Sequence, residues 1–404
     1  MRILCLCFYF EPDLSAGSFK NSVLIRELAR QLPEGSQLDV ITTLPNRYAS
    51  FTVEAPEVES REKVRIRRIE LPAHQSGMLD QSKSFVSYAH GVLRLTKHEH
   101  YDLVYASSSR LMMSVLGAWV SRQKKIPFYL DVRDLFVDTI KDVLPRKITT
   151  IAMPVFSLLE RWAVHRASRV NVVSGGFLPY FQQHYPRTQL SLFTNGIDEE
   201  FLEVAPIGVS TIDKSIPEVL YAGNMGEGQG LHHVIPALAS HFEGKLCFRL
   251  VGDGGRLPQL KQALADSACT NVIIQEPVSR EALVKLYQEA DILFLHLNDF
   301  DAFRKVLPSK IFEYGALGKP VWAGVGGFAA EFINEHISNA AVFPPCDINA
   351  AIAVFSRLKM EIAPRTGFVD RFSRSRIIAQ MAVEVIRCSS SNMDKLNGKN
   401  ANGI

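Results

Sequence analysis

Leu307-Pro308-Ser309-Lys310-Ile311-Phe312-Glu313-Tyr314-Gly315-Ala316-Leu317-Gly318-Lys319-Pro320-Val321 puts a lysine and a carboxylate on one short helix that feeds an apolar strand. Pro308 suits the first turn of such a helix and Ser309 its cap, while Gly315 and Gly318 weaken its end. Lys319-Pro320 then leads into the strand Val321-Trp322-Ala323. At 3.6 residues per turn Lys310 and Glu313 share a face, with Ile311, Phe312 and Leu317 left for packing. A carboxylate there accepts two ribose hydroxyls, and a lysine there meets phosphate as a point charge. A lone Lys-x-x-Glu is more often a surface ion pair at helical spacing. The sequence on either side decides between the two readings.

Upstream, Val219 to Ala222 reads as a strand, followed by Gly223-Asn224-Met225-Gly226-Glu227-Gly228-Gln229-Gly230-Leu231 opening a helix. Four glycines between a strand and a helix make either a flexible turn or a phosphate loop whose backbone N–H groups approach oxygen. Phe248 to Val251 is the next strand, closed by Gly252-Asp253-Gly254-Gly255. Val272 to Ile274 is a short strand, Ser279 caps a helix with Glu281 in its first turn, and Asp291 to Leu297 is a buried strand. Downstream, helices are expected over Ala329 to Asn334 and Ile348 to Leu358. A last helix, Arg376 to Arg387 within residues 373–388, crosses back to the first domain. Residues 389–404 are polar, lack an apolar period and read as a loose tail.

The amino-terminal half alternates in the same way. Ile3 to Phe10, Leu38 to Thr42, Val64 to Ile69, Leu103 to Ala106, Phe128 to Val132 and Val170 to Val173 are short apolar runs separated by helical patterns. They predict a parallel sheet covered on both faces, a Rossmann-like domain. Gly17 and Ser18, at the start of the first helix, let backbone N–H groups meet an anion, although the stretch does not match G-x-G-x-x-G. Asp131-Val132-Arg133-Asp134 ends a strand with three charges, explained equally by a structural ion-pair cluster or an acceptor site. Asn195-Gly196 follows another strand with turn chemistry. Ala205 to Glu218, rich in Pro, Gly, Ser and Thr, reads as an interdomain linker.

At 404 residues the chain exceeds the size at which one core keeps growing, so two domains are expected, 1–204 and 205–372. Composition is that of an ordinary globular protein, 47% hydrophobic and 22% charged. Residues 1–190 carry 25 Lys+Arg against 18 Asp+Glu, and residues 191–404 carry 20 against 24, so +7 faces −4. Six scattered cysteines without C-x-x-C spacing read as reduced thiols in a reducing cytoplasm rather than as zinc ligands or disulfides. The apolar start is followed at once by Glu11, Pro12 and Asp13, which reads as a first strand rather than a signal peptide. No stretch reaches the roughly 20 apolar residues that span a bilayer. Leu111 to Val120 and Ile148 to Val164 have basic flanks, including Arg122, Lys124, Lys125, Arg146 and Lys147, and suit either core helices or helices lying on an anionic membrane surface.

These pieces together resemble the group 1 family of retaining GT-B glycosyltransferases over most of residues 1–388. The resemblance rests on Tyr221-Ala222-Gly223-Asn224, Val251-Gly252-Asp253-Gly254, Glu289-Ala290-Asp291-Ile292 and Glu313 through Gly318-Lys319-Pro320-Val321, in the family's order. Thr194-Asn195-Gly196-Ile197-Asp198 matches its entry to the interdomain crossover. Pro308-Ser309-Lys310, Arg133-Asp134-Leu135 and the Asp13-Leu14-Ser15-Ala16-Gly17 loop look most like members that build lipopolysaccharide or capsule repeat units. Three departures stand out. Lys305 occupies the place of the first of the family's paired glutamates; Asn224 and Gln229-Gly230 replace its Arg and Lys-Gly; and Arg133 stands where a histidine is frequent.

The resemblance implies an α/β GT-B fold, two Rossmann-like domains facing across a cleft. The second would bind a nucleotide-diphospho-sugar through Gly223, Asn224, Gly226, Gly252, Gly254, Ser309, Lys310 and Glu313, with Gly17 and Asn195 contributing from the first. Lys310, Asp134 and Arg133 are the expected catalytic residues: Lys310 for the leaving diphosphate, Arg133 and Asp134 to orient a saccharide acceptor, expected to be lipid-linked. No metal, cofactor or nucleic-acid partner is expected. The enzyme would transfer a sugar, metal-independently and with retention, in O-antigen or capsule assembly, in the cytoplasm or peripherally on the inner face of the membrane. Two alternatives share the fold: a UDP-sugar epimerase, which would alter the donor sugar without any acceptor, and a non-catalytic nucleotide-sugar-binding subunit, which would bind donor without turnover.

Overall fold

A computed structural model of the chain describes residues 1–13, 15–45, 54–72, 78–143, 146–202 and 216–400. Of the expected linker, 205–218, residues 205–215 lie outside them. Contacts divide the chain into two compact units, Met1–Asn195 with Ser375–Ile404, and Gly196–Arg374.

In the first unit the strands are β1 (Arg2–Cys7), β2 (Gln37–Thr43), β3 (Val58–Arg61), β4 (Val64–Ile69), β5 (Leu103–Ser108), β6 (Phe128–Val132), β7 (Arg169–Val172) and β8 (Leu190–Leu192). Helices α1 (Ala16–Gln31), α2 (Met78–Thr96), α3 (Leu111–Lys124), α4 (Phe136–Val143), α5 (Arg146–Arg166) and α6 (Leu178–His184) connect them. The sheet order is β3-β4-β2-β1-β5-β6-β7-β8. Every pairing is parallel except β3 with β4. Ile3 through Cys7 are fully buried, as a central strand covered on both faces requires. The sequence reading missed β3 because its Val-Glu-Ser-Arg is short, charged and exposed, a composition that keeps a sheet edge from pairing further.

The second unit holds α7 (Glu199–Leu202), β9 (Glu218–Ala222), α8 (Leu231–His241), β10 (Cys247–Val251), α9 (Leu257–Asp266), β11 (Val272–Gln275), α10 (Arg280–Glu289) and β12 (Ile292–His296). It continues with α11 (Lys310–Leu317), β13 (Val321–Gly324), α12 (Gly327–His336), β14 (Ala340–Phe343), α13 (Ile348–Phe355) and α14 (Thr366–Phe372). Its sheet, β11-β10-β9-β12-β13-β14, is parallel throughout. Trp322 is buried on one face against Phe242, Phe294 and Phe355. Phe312, Phe368 and Phe372 pack together on the other.

Three boundaries differ from the sequence reading. The second unit begins at Gly196 rather than residue 205, because Ile197 bonds backbone to backbone with Phe372 and Arg374, and Phe201 sits in that unit's core. The last helix, α15 (Arg374–Asn400), runs through the expected loose tail. No proline interrupts it, and Gly398 is its first glycine. Its Ile378, Met381, Ala382 and Val385, at helical spacing, pack with Leu24, Ile25 and Leu28 of α1 in the first unit. Ser309 makes no cap bond: its backbone is already helical, and α11 opens with i to i+3 bonds from Ile311 N–H to Pro308 and Phe312 N–H to Ser309.

At the other end of α11, Gly318 adopts the left-handed cap conformation, φ 70°. Arg365 donates to the carbonyls of Tyr314, Gly315 and Lys319, which the helix end would otherwise leave unpaired. Burial lowers the Arg365 pKa to about 10. Gly315 proves to be a packing residue, since a Cβ there would collide with the Phe368 ring.

Candidate active site

In the second unit the loops after β9 and β10 interlock at the carboxyl ends of the strands, where ligands of open α/β sheets bind. Gly223 N–H donates to Val251 O (2.8 Å), Met225 N–H to Asp253 O (2.8 Å) and Arg256 N–H to Met225 O (3.0 Å). The approach is close enough that a Cβ on Gly252 would meet the Gly223 carbonyl, and one on Gly254 the Met225 backbone. Lys310 reaches this knot from the first turn of α11. Its ammonium lies where a Gly223 side chain would stand, 5.6 Å from the centroid of the Tyr221 ring. Tyr221 Oη in turn donates to the Asn224 carbonyl (2.6 Å).

Asn224 and Gln229, which stand where the family has cations, bond to each other: Asn224 Nδ2 donates to Gln229 Oε1 (2.7 Å), as does Gly226 N–H (3.3 Å). The loop therefore tethers itself with neutral amides. Below it, His296 is fully buried, its Nδ1 at 2.7 Å from the Gln229 carbonyl while Nε2 accepts from the Cys346 N–H (3.0 Å). Those partners require a neutral ring protonated on Nδ1. Burial lowers its pKa to about 4.

Glu313, one turn beyond Lys310, is 7% exposed. Arg280 Nη1 donates to its Oε1 (3.0 Å) and Tyr287 Oη to its Oε2 (3.1 Å). Arg280 also pairs with Asp198 and covers the Phe201 ring at 4.6 Å; Asp198 pairs again with Arg374. Burial works against the charge on Arg280, but Glu313 and Asp198 outweigh it and raise its pKa.

In the first unit Gly17, Arg133 and Asn195 come together. Arg133 Nε lies 3.7 Å from where a Gly17 Cβ would be, and Arg133 Nη2 donates to Asn195 Oδ1 (2.9 Å). Asp134 is exposed beside them, whereas Asp131 belongs to the core. Asp131 accepts from Lys20 (3.1 Å), Asn171 (2.6 Å) and Tyr105 (3.1 Å), all buried. Burial alone would raise its pKa, but Lys20 and then Arg133 hold it below the usual carboxylate range.

The expected residues thus form two groups: Gly17, Arg133, Asp134 and Asn195 in the first unit, and Gly223, Asn224, Gly226, Gly252, Gly254, Ser309, Lys310 and Glu313 in the second. Sequence reasoning missed Lys20, Arg280, Tyr287 and His296. The available signal for Arg280 was its place directly after the capping Ser279. Among the described residues no His/Cys/Asp/Glu cluster could hold a metal ion, and no helix is long and apolar enough to cross a membrane.

Two α/β units, each built on a largely parallel sheet, have the GT-B glycosyltransferase fold. Sucrose-phosphate synthase from Thermosynechococcus elongatus superposes with a TM-score of 0.77 at 16% identity, over 97% of this chain and 100% of that one. Anabaena HepE in complex with UDP-glucose gives 0.67 at 18%, over 96% and 99%. WaaG, a glycosyltransferase involved in lipopolysaccharide biosynthesis, gives 0.64 at 14%, over 98% and 100%. At such identities the likeness is one of fold. Residues 22–196 match the glycosyl transferase 4-like domain, and residues 207–361 match glycosyl transferases group 1. The chain belongs to the group 1 glycosyltransferases. WcaI of Escherichia coli (strain K12), named for a glycosyl transferase of colanic acid biosynthesis, is 28% identical over 167 residues, which are 39% of this chain and 41% of that one. The match therefore spans less than half of that relative.

Proposed function

We propose that the chain is a retaining, metal-independent glycosyltransferase that moves a hexosyl group from a nucleotide-diphospho-sugar to a lipid-linked saccharide in bacterial surface-polysaccharide assembly, of the O-antigen or capsule type. The observation that carries this reading is Lys310 set against Gly223, at the mouth of two interlocked glycine loops. A departing diphosphate gains negative charge as its bond to the anomeric carbon breaks, and an ammonium with backbone N–H groups is suited to receive it. The acceptor oxygen would bond to that carbon on the face the diphosphate leaves, its proton passing to a departing phosphate oxygen. Arg133 and Asp134 would orient the acceptor, and Glu313 would hold the ribose. The structures of HepE with UDP-glucose and the likeness to WcaI and WaaG support a nucleotide-sugar donor and a polysaccharide product.

A lipid-linked acceptor would put the enzyme at the cytoplasmic membrane face. Supporting this, α3 and α5 pack side by side, with Met112 and Trp119 exposed on one and Val155 and Leu158 exposed on the other. Exposed Arg122 and Lys125 flank the end of α3, as an anionic surface would require.

The test is release of nucleoside diphosphate from a panel of donors with lipid extract as acceptor, in wild type and Lys310→Met. Charge on the diphosphate peaks in the transition state, so kcat should fall about a hundredfold while donor KM changes little. A rise in KM alone would make Lys310 a ground-state contact. Turnover equal to wild type would remove it from the site.

A further inference from the structure

The loop after β9 carries Gly223, Gly226, Gly228 and Gly230, and glycine loses more conformational freedom on ordering than any other residue. Left to itself, such a loop would lose that freedom each time it closed on a ligand, at the cost of affinity. Here the end of β12 already holds it by three successive carbonyls. Asn298 Nδ2 donates to Glu227 O (3.0 Å), Asn298 N–H to Gly228 O (2.9 Å) and His296 Nδ1 to Gln229 O (2.7 Å). The fit is also one of shape. Gly230 is left-handed, φ 57°, and a Cβ there would lie 3.1 Å from the Asn298 side chain; a Cβ on Gly228 would lie 3.0 Å from the Phe303 ring.

His296 and Asn298 are anchored in turn just beyond β14. His296 Nε2 accepts from the Cys346 N–H (3.0 Å), and Cys346 Sγ lies 3.3 Å from Asn298 Oδ1, which also accepts from the Asp299 N–H (3.0 Å). Cys346 reaches both from a left-handed backbone, φ 61°, a conformation uncommon outside glycine. Both His296 and Asn298 are buried, so little water competes for these bonds.

We propose that His296 and Asn298 are positioning residues for the donor's phosphates: by fixing the carbonyls of Glu227, Gly228 and Gln229 they order the glycine loop before the donor arrives. A planar trans peptide sets its N–H opposite its C=O, so carbonyls held on β12 also fix where the loop's N–H groups aim. The benefit falls on the diphosphate and leaves the nucleoside part of the donor to other contacts. This rests on the reading of the glycine loops as the diphosphate site.

The experiment measures affinity for UDP, GDP and ADP by calorimetry and for uridine, guanosine and adenosine by ligand-observed NMR. The quantity read is the ratio of diphosphate to nucleoside affinity for the base bound best. A role in stability alone lowers both affinities together or neither, whereas a role in the loop lowers the ratio. Asn298→Leu and His296→Leu should each cut the ratio about tenfold and leave nucleoside affinity within about twofold of wild type. His296→Gln, whose amide offers both a donor and an acceptor, should recover most of the ratio. Folded leucine variants with the wild-type ratio overturn the proposal, as does an equal fall in both affinities. Should the leucine variants not fold, Asn298→Ala decides: a ratio several-fold below wild type supports the proposal, and an unchanged ratio overturns it. Gly230→Val, which forces a β-branched residue into the left-handed region, strains the loop itself and separates this role from the reading beneath it. If Gly230→Val lowers the ratio while the Asn298 variants keep it, only the positioning role falls. If Gly230→Val leaves the ratio unchanged, or if wild type favours the diphosphate no more than the nucleoside, the loop is not the phosphate site and both fall.

Discussion

Each unit places a buried carboxylate beside a cation near the carboxyl ends of its strands, yet the two carboxylates are suited to different tasks. Asp131 in the first unit is fully buried and accepts from Lys20, Asn171 and Tyr105, which are themselves buried. Glu313 in the second accepts, among the described residues, from Arg280 and Tyr287, and keeps a small exposed fraction. Charge and burial alone would rank Asp131 as the stronger site. Counting the acceptor positions still open reverses that order: Asp131 is committed to holding β6, α1 and β7 together, and Glu313 retains capacity for a ligand.

The sharpest way to break this contrast is to remove each carboxylate in turn and read stability. Asp131→Asn removes the carboxylate that balances the buried Lys20 ammonium and should cost about 3–5 kcal/mol, the expense of a buried charge without its counter-charge. Lys20→Met with Asp131→Leu should recover most of it. Glu313→Gln should cost much less, because Arg280 keeps Asp198. Hydrogen exchange of the β6 and β10 amides in the three variants measures all of this. Equal losses at Asp131 and Glu313 would end the distinction.

A buried group held neutral sharpens the comparison from the other side. The His296 pKa in the folded chain is about 4, below the 6.5 of an unfolded histidine. Its stabilising contribution is therefore complete above 6.5 and is lost as pH falls from there through 4, because the unfolded chain takes a proton that the folded one refuses. Between about pH 6.5 and 5 this amounts to about 2 kcal/mol. Exchange of β12 amides should accelerate accordingly in wild type, and less steeply in His296→Gln. Identical slopes would mean that another group titrates.

Donor affinity is the next effect, of similar size. Glu313→Ala should lose about 1.5–3 kcal/mol of nucleotide binding, the worth of hydrogen bonds to a charged group, with the fold intact. Asp131→Ala should alter donor binding only as far as it unfolds the first unit. Calorimetry on folded protein distinguishes them. Unchanged affinity in Glu313→Ala would count against the ribose contact.

These contrasts also mark what could be read before the structure. The strands, the glycine loops and Lys310 are local signals: apolar runs of strand length, glycines where a turn must be tight, a lysine at helical spacing from a carboxylate. The partners that decide what Glu313 and Asp131 do are not local. Arg280 gathers residues 198 and 313, and Lys20 meets residue 131, so the pairs emerge only when distant elements pack. Asn224 and Gln229 were legible as departures from the family, but their bond to each other required the fold. Ser309 looked like a cap because its residue type fits, and only its helical backbone says otherwise.

The contrast extends to the surface, where the first half of the chain is +7 and the second −4. If the acceptor is lipid-linked, the first unit must meet an anionic leaflet, and each cation near that surface adds about 1 kcal/mol within a Debye length. Not every basic residue on the expected face is available for this. Lys124 donates to the Glu99 carbonyl (2.6 Å) and lies against the Tyr101 ring, so it serves the fold, while Arg122 and Lys125 are exposed. The side chains of Arg146 and Lys147 lie outside the described residues. Attachment should therefore combine a salt-sensitive part from Arg122 and Lys125 with a salt-resistant part from Trp119, Met112, Val155 and Leu158. Sedimentation with anionic vesicles should show partial release in high salt. Arg122→Glu with Lys125→Glu should remove the salt-sensitive fraction, and Trp119→Ala with Leu158→Ala the remainder, all with nucleotide affinity unchanged. Equal partition of wild type and both variants would sink the membrane face and leave the apolar row on α3 and α5 to another partner.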